Sequence, residues 1–271
     1  MAGPRAGTGT RHVARACLTG LALVAAATCG AAVSDGRAFR LGARNPGAVT
    51  YRIEPSVVAP DIARDLQGRF EATADLLNRA FWIPHDLTIE YRDCEKENAY
   101  YSRNDHTVTI CYGLVDLFRK TYPESSPYLL ALFIEFHELA HAIVHMYDLP
   151  IVGRDEDAAD QFAALYLIEG ARNVPQAISG VILAAQFFQD SASTVDGDPD
   201  FWDGHSFGDA RRAALLCMVY GGLDESREEL DGIIPPERAE ECAAEYVEVR
   251  RNWNRLLAPY SRVENQVFFG E

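Results

Sequence analysis

Basic side chains are scarce in this sequence: 25 Lys and Arg stand against 40 Asp and Glu over 271 residues, for a net charge of −15. A surface of that sign repels phosphate, so nucleic acid is excluded as a partner. The acidity itself needs no ligand to explain it, since it suits simple solubility in an exported protein. Also missing is any Cys-x-x-Cys or Cys–His spacing that would suggest a structural zinc. There is no internal repeat, low-complexity tract or linker long enough to divide domains, which excludes solenoid architectures. The charge-free apolar run over residues 16–32, ACLTGLALVAAATCGAA, is too short and too rich in Ala and Gly for a membrane anchor.

That run instead has the layout of a signal peptide over residues 1–32. Arg5, Arg11 and Arg15 precede it, and Gly30, Ala31 and Ala32 offer small residues for cleavage. Removing it takes away three arginines and no acid, which brings the net charge from −15 to −18. A secreted or extracytoplasmic protein is therefore expected, without stable membrane insertion. A lipid anchor at Cys29 is the less favoured alternative, because Thr28 is a poor residue to precede a lipoprotein cysteine. Four of the six cysteines remain, Cys94, Cys111, Cys217 and Cys242. An even number in an exported chain reads as two disulfides, and neighbours are expected to pair, Cys94 with Cys111 and Cys217 with Cys242.

At 48% hydrophobic residues the chain supports one domain, placed at 48–271 after a flexible N-terminal segment, 33–47. Alternation predicts a strand around 48–55 and another at 87–93. Ile62, Leu66, Phe70, Ala74, Leu77 and Phe81 recur at spacings of three and four, which predicts an amphipathic helix over 60–82. Residues 97–112 read as a hairpin turning at Ser102–Asp105. Beyond 112 the chain turns almost wholly helical. Ser126 and Pro127 offer an N-cap and a first helical residue, and the segment up to a stop at Pro150 is apolar on nearly every face, as a central buried helix should be. Further helices are predicted at 156–169, 175–190, 207–219 and 236–257.

Within the central helix, His137-Glu138-x-x-His141 places two imidazoles one turn apart on one face. Catalytic zinc takes three protein ligands and leaves a position for water, and a glutamate beside the first histidine is placed to act as general base on that water. Burying two histidines and a glutamate without such a purpose would be costly. The third ligand is expected on the next helix, where Glu156, Asp157 and Asp160 are available. If Glu156 binds the metal, Asp160 four residues on can accept the spare N–H of a ligating histidine. Asp157 is the alternative ligand, since a zinc-binding Asp is also known chemistry.

His137-Glu138-x-x-His141 followed by Glu156-x-x-x-Asp160 resembles the gluzincin metallopeptidases, the thermolysin-like group. That resemblance implies zinc held by His137, His141 and Glu156, with Asp160 supporting a histidine. The stretches HELAHAIV and GRDEDAADQFA are similar to a metallopeptidase family catalogued as a domain of unknown function, and the similarity covers most of residues 85–245. A gap between His141 and Glu156 shorter than in thermolysin implies a compact version of the fold. Asn98-Ala99-Tyr100 resembles the edge strand on which such enzymes bind substrate backbone, a use that suits an unpaired edge. His205, with Arg211 six residues later, is similar to a His-plus-Arg arrangement in the membrane-embedded gluzincins, which implies that His205 donates to the oxyanion. Tyr147 and His145 are rivals for that task.

The expected fold is α+β and zincin-like: a small N-terminal sheet, its edge strand over the zinc helix, and a helical C-terminal half. The expected function is that of an exported zinc metallopeptidase acting on peptide or protein substrates. The alternative is an exported binding protein with a structural or relic metal site, against which Glu138 argues because such a site needs no base.

Overall fold

The computed structural model describes residues 47–68, 71–171, 175–193, 208–230, 232–262 and 268–269. The expected signal peptide, Cys29 and His205 lie outside these residues.

Four strands, β1 (Val49–Ile53), β2 (Leu87–Arg92), β3 (Ala99–Ser102) and β4 (Thr107–Cys111), form a mixed sheet in the order β1-β2-β4-β3. The first two pairings are parallel and the last is an antiparallel hairpin. One face of the sheet presents Leu87, Ile89, Tyr91, Val108 and Ile110 to the core, following the period-two alternation of a strand. Its other face carries a polar cluster in which the buried Glu90 accepts from Thr109 at 3.1 Å and pairs with Arg92 at 2.8 Å. The outer edge of β1 is covered by side chains: Asn78 takes both the N–H and the C=O of Val49, at 2.8 and 2.9 Å, and Gln67 donates to the carbonyl of Ile53 at 3.0 Å. At the opposite side β3 pairs with β4 alone.

The helix expected over 60–82 is instead two, α1 (Pro60–Leu66) and α2 (Glu71–Ala80). Gly68, at φ +74°, adopts a left-handed conformation that cannot continue a helix, and so the periodicity runs on while the axis does not. A helix not singled out in the sequence, α3 (Tyr112–Thr121), follows β4 directly. Then comes α4 (Pro127–Met146), starting at the expected proline. Ser126 sits at its N-cap position, but its side chain makes no cap bond. This helix is long and apolar enough to cross a membrane, yet most of it is buried in the core against α5 (Asp155–Ala171) and α6 (Ile178–Ser193). Packed around them are α7 (Gly208–Gly222), the short α8 (Arg227–Leu230) and α9 (Pro236–Leu257).

Both cysteine pairings occur as expected. Cys94–Cys111 joins the segment after β2 to the end of β4, with Cα atoms 5.5 Å apart, and Cys217–Cys242 ties α7 to α9 at 5.0 Å. The two helices approach so closely that a Cβ on Gly221 would lie 2.3 Å from the carbonyl oxygen of Cys242, and only glycine fits there. The architecture is thus α+β, with a small mixed sheet and a mostly helical remainder.

Candidate metal centre

Three side chains from two helices converge. His137 and His141 stand one turn apart on α4, and Glu156 stands in the first turn of α5. The Nε2 of His137 is 3.1 Å from Oε2 of Glu156 and 3.3 Å from Nε2 of His141, and that second nitrogen is 3.4 Å from Oε1 of Glu156. Among the described residues, this is the group of histidine, cysteine and acidic side chains that could hold a metal ion. A tetrahedral zinc with donors at about 2.0–2.1 Å separates them from one another by about 3.3 Å. Two imidazoles and a carboxylate are moreover the donor types that zinc takes in catalytic sites. The residues present therefore fit zinc in both chemistry and spacing.

The second nitrogen of His137 is also committed. Its Nδ1 lies 2.9 Å from Oδ1 of Asp160, one turn beyond Glu156 on the same face of α5. A carboxylate in that place accepts Nδ1–H and leaves Nε2 directed at the convergence point. Asp160 is in turn gripped by Arg211 of α7, whose Nε and Nη2 donate to Oδ2 and Oδ1 at 2.7 and 2.8 Å. Burial disfavours the Asp160 anion, but Arg211 and His137 outweigh it and hold its carboxyl below the usual range. Burial likewise opposes charge on His137, and there the hydrogen bonds to Asp160 and Glu156 win, raising its pKa to about 9. Asp157 is not in the cluster; it lines a cavity shared with Asp160 and with Arg211, Ala214 and Met218 of α7.

Glu138 lies beside the two histidines and is largely enclosed. Burial raises its pKa, opposed by the histidine charges and by a hydrogen bond from the Tyr101 backbone amide. That bond follows from the strand pairing. The carbonyl of Asn98 accepts from Cys111 N–H, so Tyr100 and Ser102 make the ladder bonds to β4 while Ala99 and Tyr101 turn their backbone groups outward. Of the expected substrate strand, Ala99 and Tyr100 lie in β3 and Asn98 immediately precedes it. The Tyr100 side chain points away from the helices and accepts from Arg92 at 2.7 Å.

The rivals for the oxyanion role sort clearly. Tyr147 is buried, stacked on Tyr260 at 4.0 Å, and lines the apolar core with Leu77, Leu139 and Ile143, which removes it from consideration. His145 is engaged with the Tyr101 hydroxyl at 3.0 Å through its Nδ1. His85 and His106 stack on each other at 4.8 Å.

Residues 61–257 match the protein family described as "Putative metallopeptidase". That span is well over half of the chain. The protein belongs to this metallopeptidase family. No curated protein and no solved structure matches it. Membership implies a metal, and the His-His-Glu cluster of this metallopeptidase domain lies within the matched residues.

Sequence reasoning missed two parts of the surroundings. Glu135, fully buried one turn before Leu139, accepts hydroxyls from Tyr51 of β1 and Tyr91 of β2 at 2.5 and 2.6 Å, and burial raises its pKa to about 7 against the pull of those bonds. An acid inside an otherwise apolar run was the available signal, because such an acid must be bonded to something. The Arg211–Asp160 pairing had no such signal, as 51 residues separate the partners.

Proposed function

We propose that this protein is an exported zinc-dependent metallopeptidase with a compact gluzincin arrangement. His137, His141 and Glu156 are the zinc ligands, Asp160 supports His137, and Glu138 is the general base. The observation that carries the reading is the convergence of two imidazole nitrogens, 3.3 Å apart, on one carboxylate whose two oxygens lie 3.1 Å from the first nitrogen and 3.4 Å from the second, beside a glutamate with no ligand role. A zinc ion bound there would polarise the scissile carbonyl and acidify a water molecule. Glu138 would take a proton from water and return it to the departing amine nitrogen.

The outward backbone groups of Ala99 suit an extended peptide added antiparallel to β3, with Asn98 and Tyr100 flanking it. His205, just ahead of α7 in sequence, is proposed as the donor to the oxyanion. The disulfide pairs are compatible with life outside the cytoplasm.

Glu138→Gln preserves shape and hydrogen bonding but removes the base. The variant should keep about one zinc per chain and lose peptide hydrolysis by several orders of magnitude. Hydrolysis within about tenfold of wild type would remove Glu138 from the mechanism. Zinc binding without hydrolysis of any member of a peptide library by wild type would favour the binding-protein alternative.

A further inference from the structure

We infer that Arg211 is a positioning residue for the metal centre, acting through Asp160 on the aim of His137. The inference rests on the metal reading above and concerns a layer of the site that the donor set itself does not reveal. Arg211 is buried, and its guanidinium lies over the ring of Phe188 in α6 at 3.4 Å from the ring centroid. It presents Nε to Oδ2 and Nη2 to Oδ1 of Asp160, the side-by-side contact that fixes a carboxylate in the plane of the fork. The oxygen that takes Nη2, Oδ1, is the same one that meets Nδ1 of His137 at 2.9 Å.

Each contact removes one rotation. The Phe188 face fixes the guanidinium plane, and the two-point contact fixes the Asp160 carboxylate, whose terminal torsion is otherwise broad. The fixed Oδ1 then holds the imidazole so that Nε2 stays 3.3 Å from Nε2 of His141 and 3.1 Å from Glu156. Four helices thereby meet in one chain of contacts: α6 and α7 supply the brace, α5 the carboxylate and α4 the ligand. A lysine at the same place would bring the charge without the fork.

The test uses the full exported protein with its disulfides intact, measuring zinc affinity by competition with a chelator and the melting temperature of the chelator-treated protein. Arg211→Met should bind zinc about 10–100-fold more weakly, as losses of outer partners do. Arg211→Lys should recover only part of this. Asp160→Asn should weaken binding similarly, and the double variant Arg211→Met/Asp160→Asn should be no worse than Asp160→Asn within about twofold, because one residue acts through the other. Leu77→Ala, a core truncation in α2, should lower the melting temperature while leaving zinc affinity unchanged, which separates aim from general stability.

Wild-type affinity in Arg211→Met, full recovery in Arg211→Lys, or multiplied losses in the double variant would each overturn the inference. If Arg211→Met does not fold, Arg211→Lys decides alone, with wild-type affinity counting against. A wild-type protein that binds no zinc would sink the metallopeptidase reading and this inference with it.

Discussion

Replacing Tyr91 with Phe removes one hydroxyl from a carboxylate that has no access to water. Glu135 is fully buried, and its Oε2 is bonded by Tyr91 at 2.6 Å. A hydrogen bond to a charged group is worth about 1.5–3 kcal/mol, against about 0.5–1.5 for neutral partners. Burial sets the Glu135 pKa at about 7, raised from 4.5, so its contribution to stability is fully present below pH 4.5 and is lost as pH rises to 7 and beyond. The Tyr91 bond opposes that rise. Without it the folded-state pKa climbs further, and the additional loss accumulates above pH 7. Denaturant unfolding of Tyr91→Phe should therefore show a deficit of about 1 kcal/mol at pH 5.5 and about 2–3 kcal/mol at pH 8.5, with an unchanged denaturant slope. The triple variant Tyr51→Phe/Tyr91→Phe/Glu135→Met, which leaves no polar group behind, should be less destabilised than Tyr91→Phe at pH 8.5. A deficit under about 0.5 kcal/mol at pH 8.5, or an equal deficit at both pH values, would refute the charged-acceptor argument.

Zinc titration should find that Glu156→Ala loses most of its affinity while Asp157→Ala is nearly silent. The reverse result would make the site a His-His-Asp one and remove the gluzincin assignment. Opening the 25-residue loop with Cys217→Ser/Cys242→Ser should cost about 3 kcal/mol of unfolding free energy, read by denaturant midpoint. Opening the 17-residue loop at Cys94–Cys111 should cost about as much and, because it anchors the β2–β4 end of the sheet, should also raise the KM for peptide.

The spacing His137, Glu138, His141, Glu156, Asp160 was readable because helical geometry turns sequence distance directly into direction: the i, i+4 repeat appears on both α4 and α5. The hairpin was readable for a similar reason, through alternation and a turn. Continuity of an axis was not. The pattern of residues 60–82 persists across Gly68, and only the backbone angle there reveals that one helix is two. The placement of α3 was missed because it begins at Tyr112, directly against a strand end with no linking loop to announce it. Long-range choices were equally silent: Tyr51 and Tyr91 look like ordinary strand tyrosines until the tertiary fold brings Glu135 to them. Tyr147 looked as eligible as His145 for a catalytic task, yet six residues beyond His141 it lies on a different side of α4 and faces the core.

The two borders of the sheet are treated differently. At β1, Asn78 occupies both backbone groups of Val49 and Gln67 occupies the carbonyl of Ile53, so side-chain amides stand where a further strand would hydrogen-bond. At β3 the backbone of Ala99 stays outward. A sheet that can be extended on one side only cannot propagate: two molecules meeting border to border would consume the growing ends of both and stop at a pair. The protein can thus keep the outward backbone of Ala99 exposed at high concentration without polymerising into fibres.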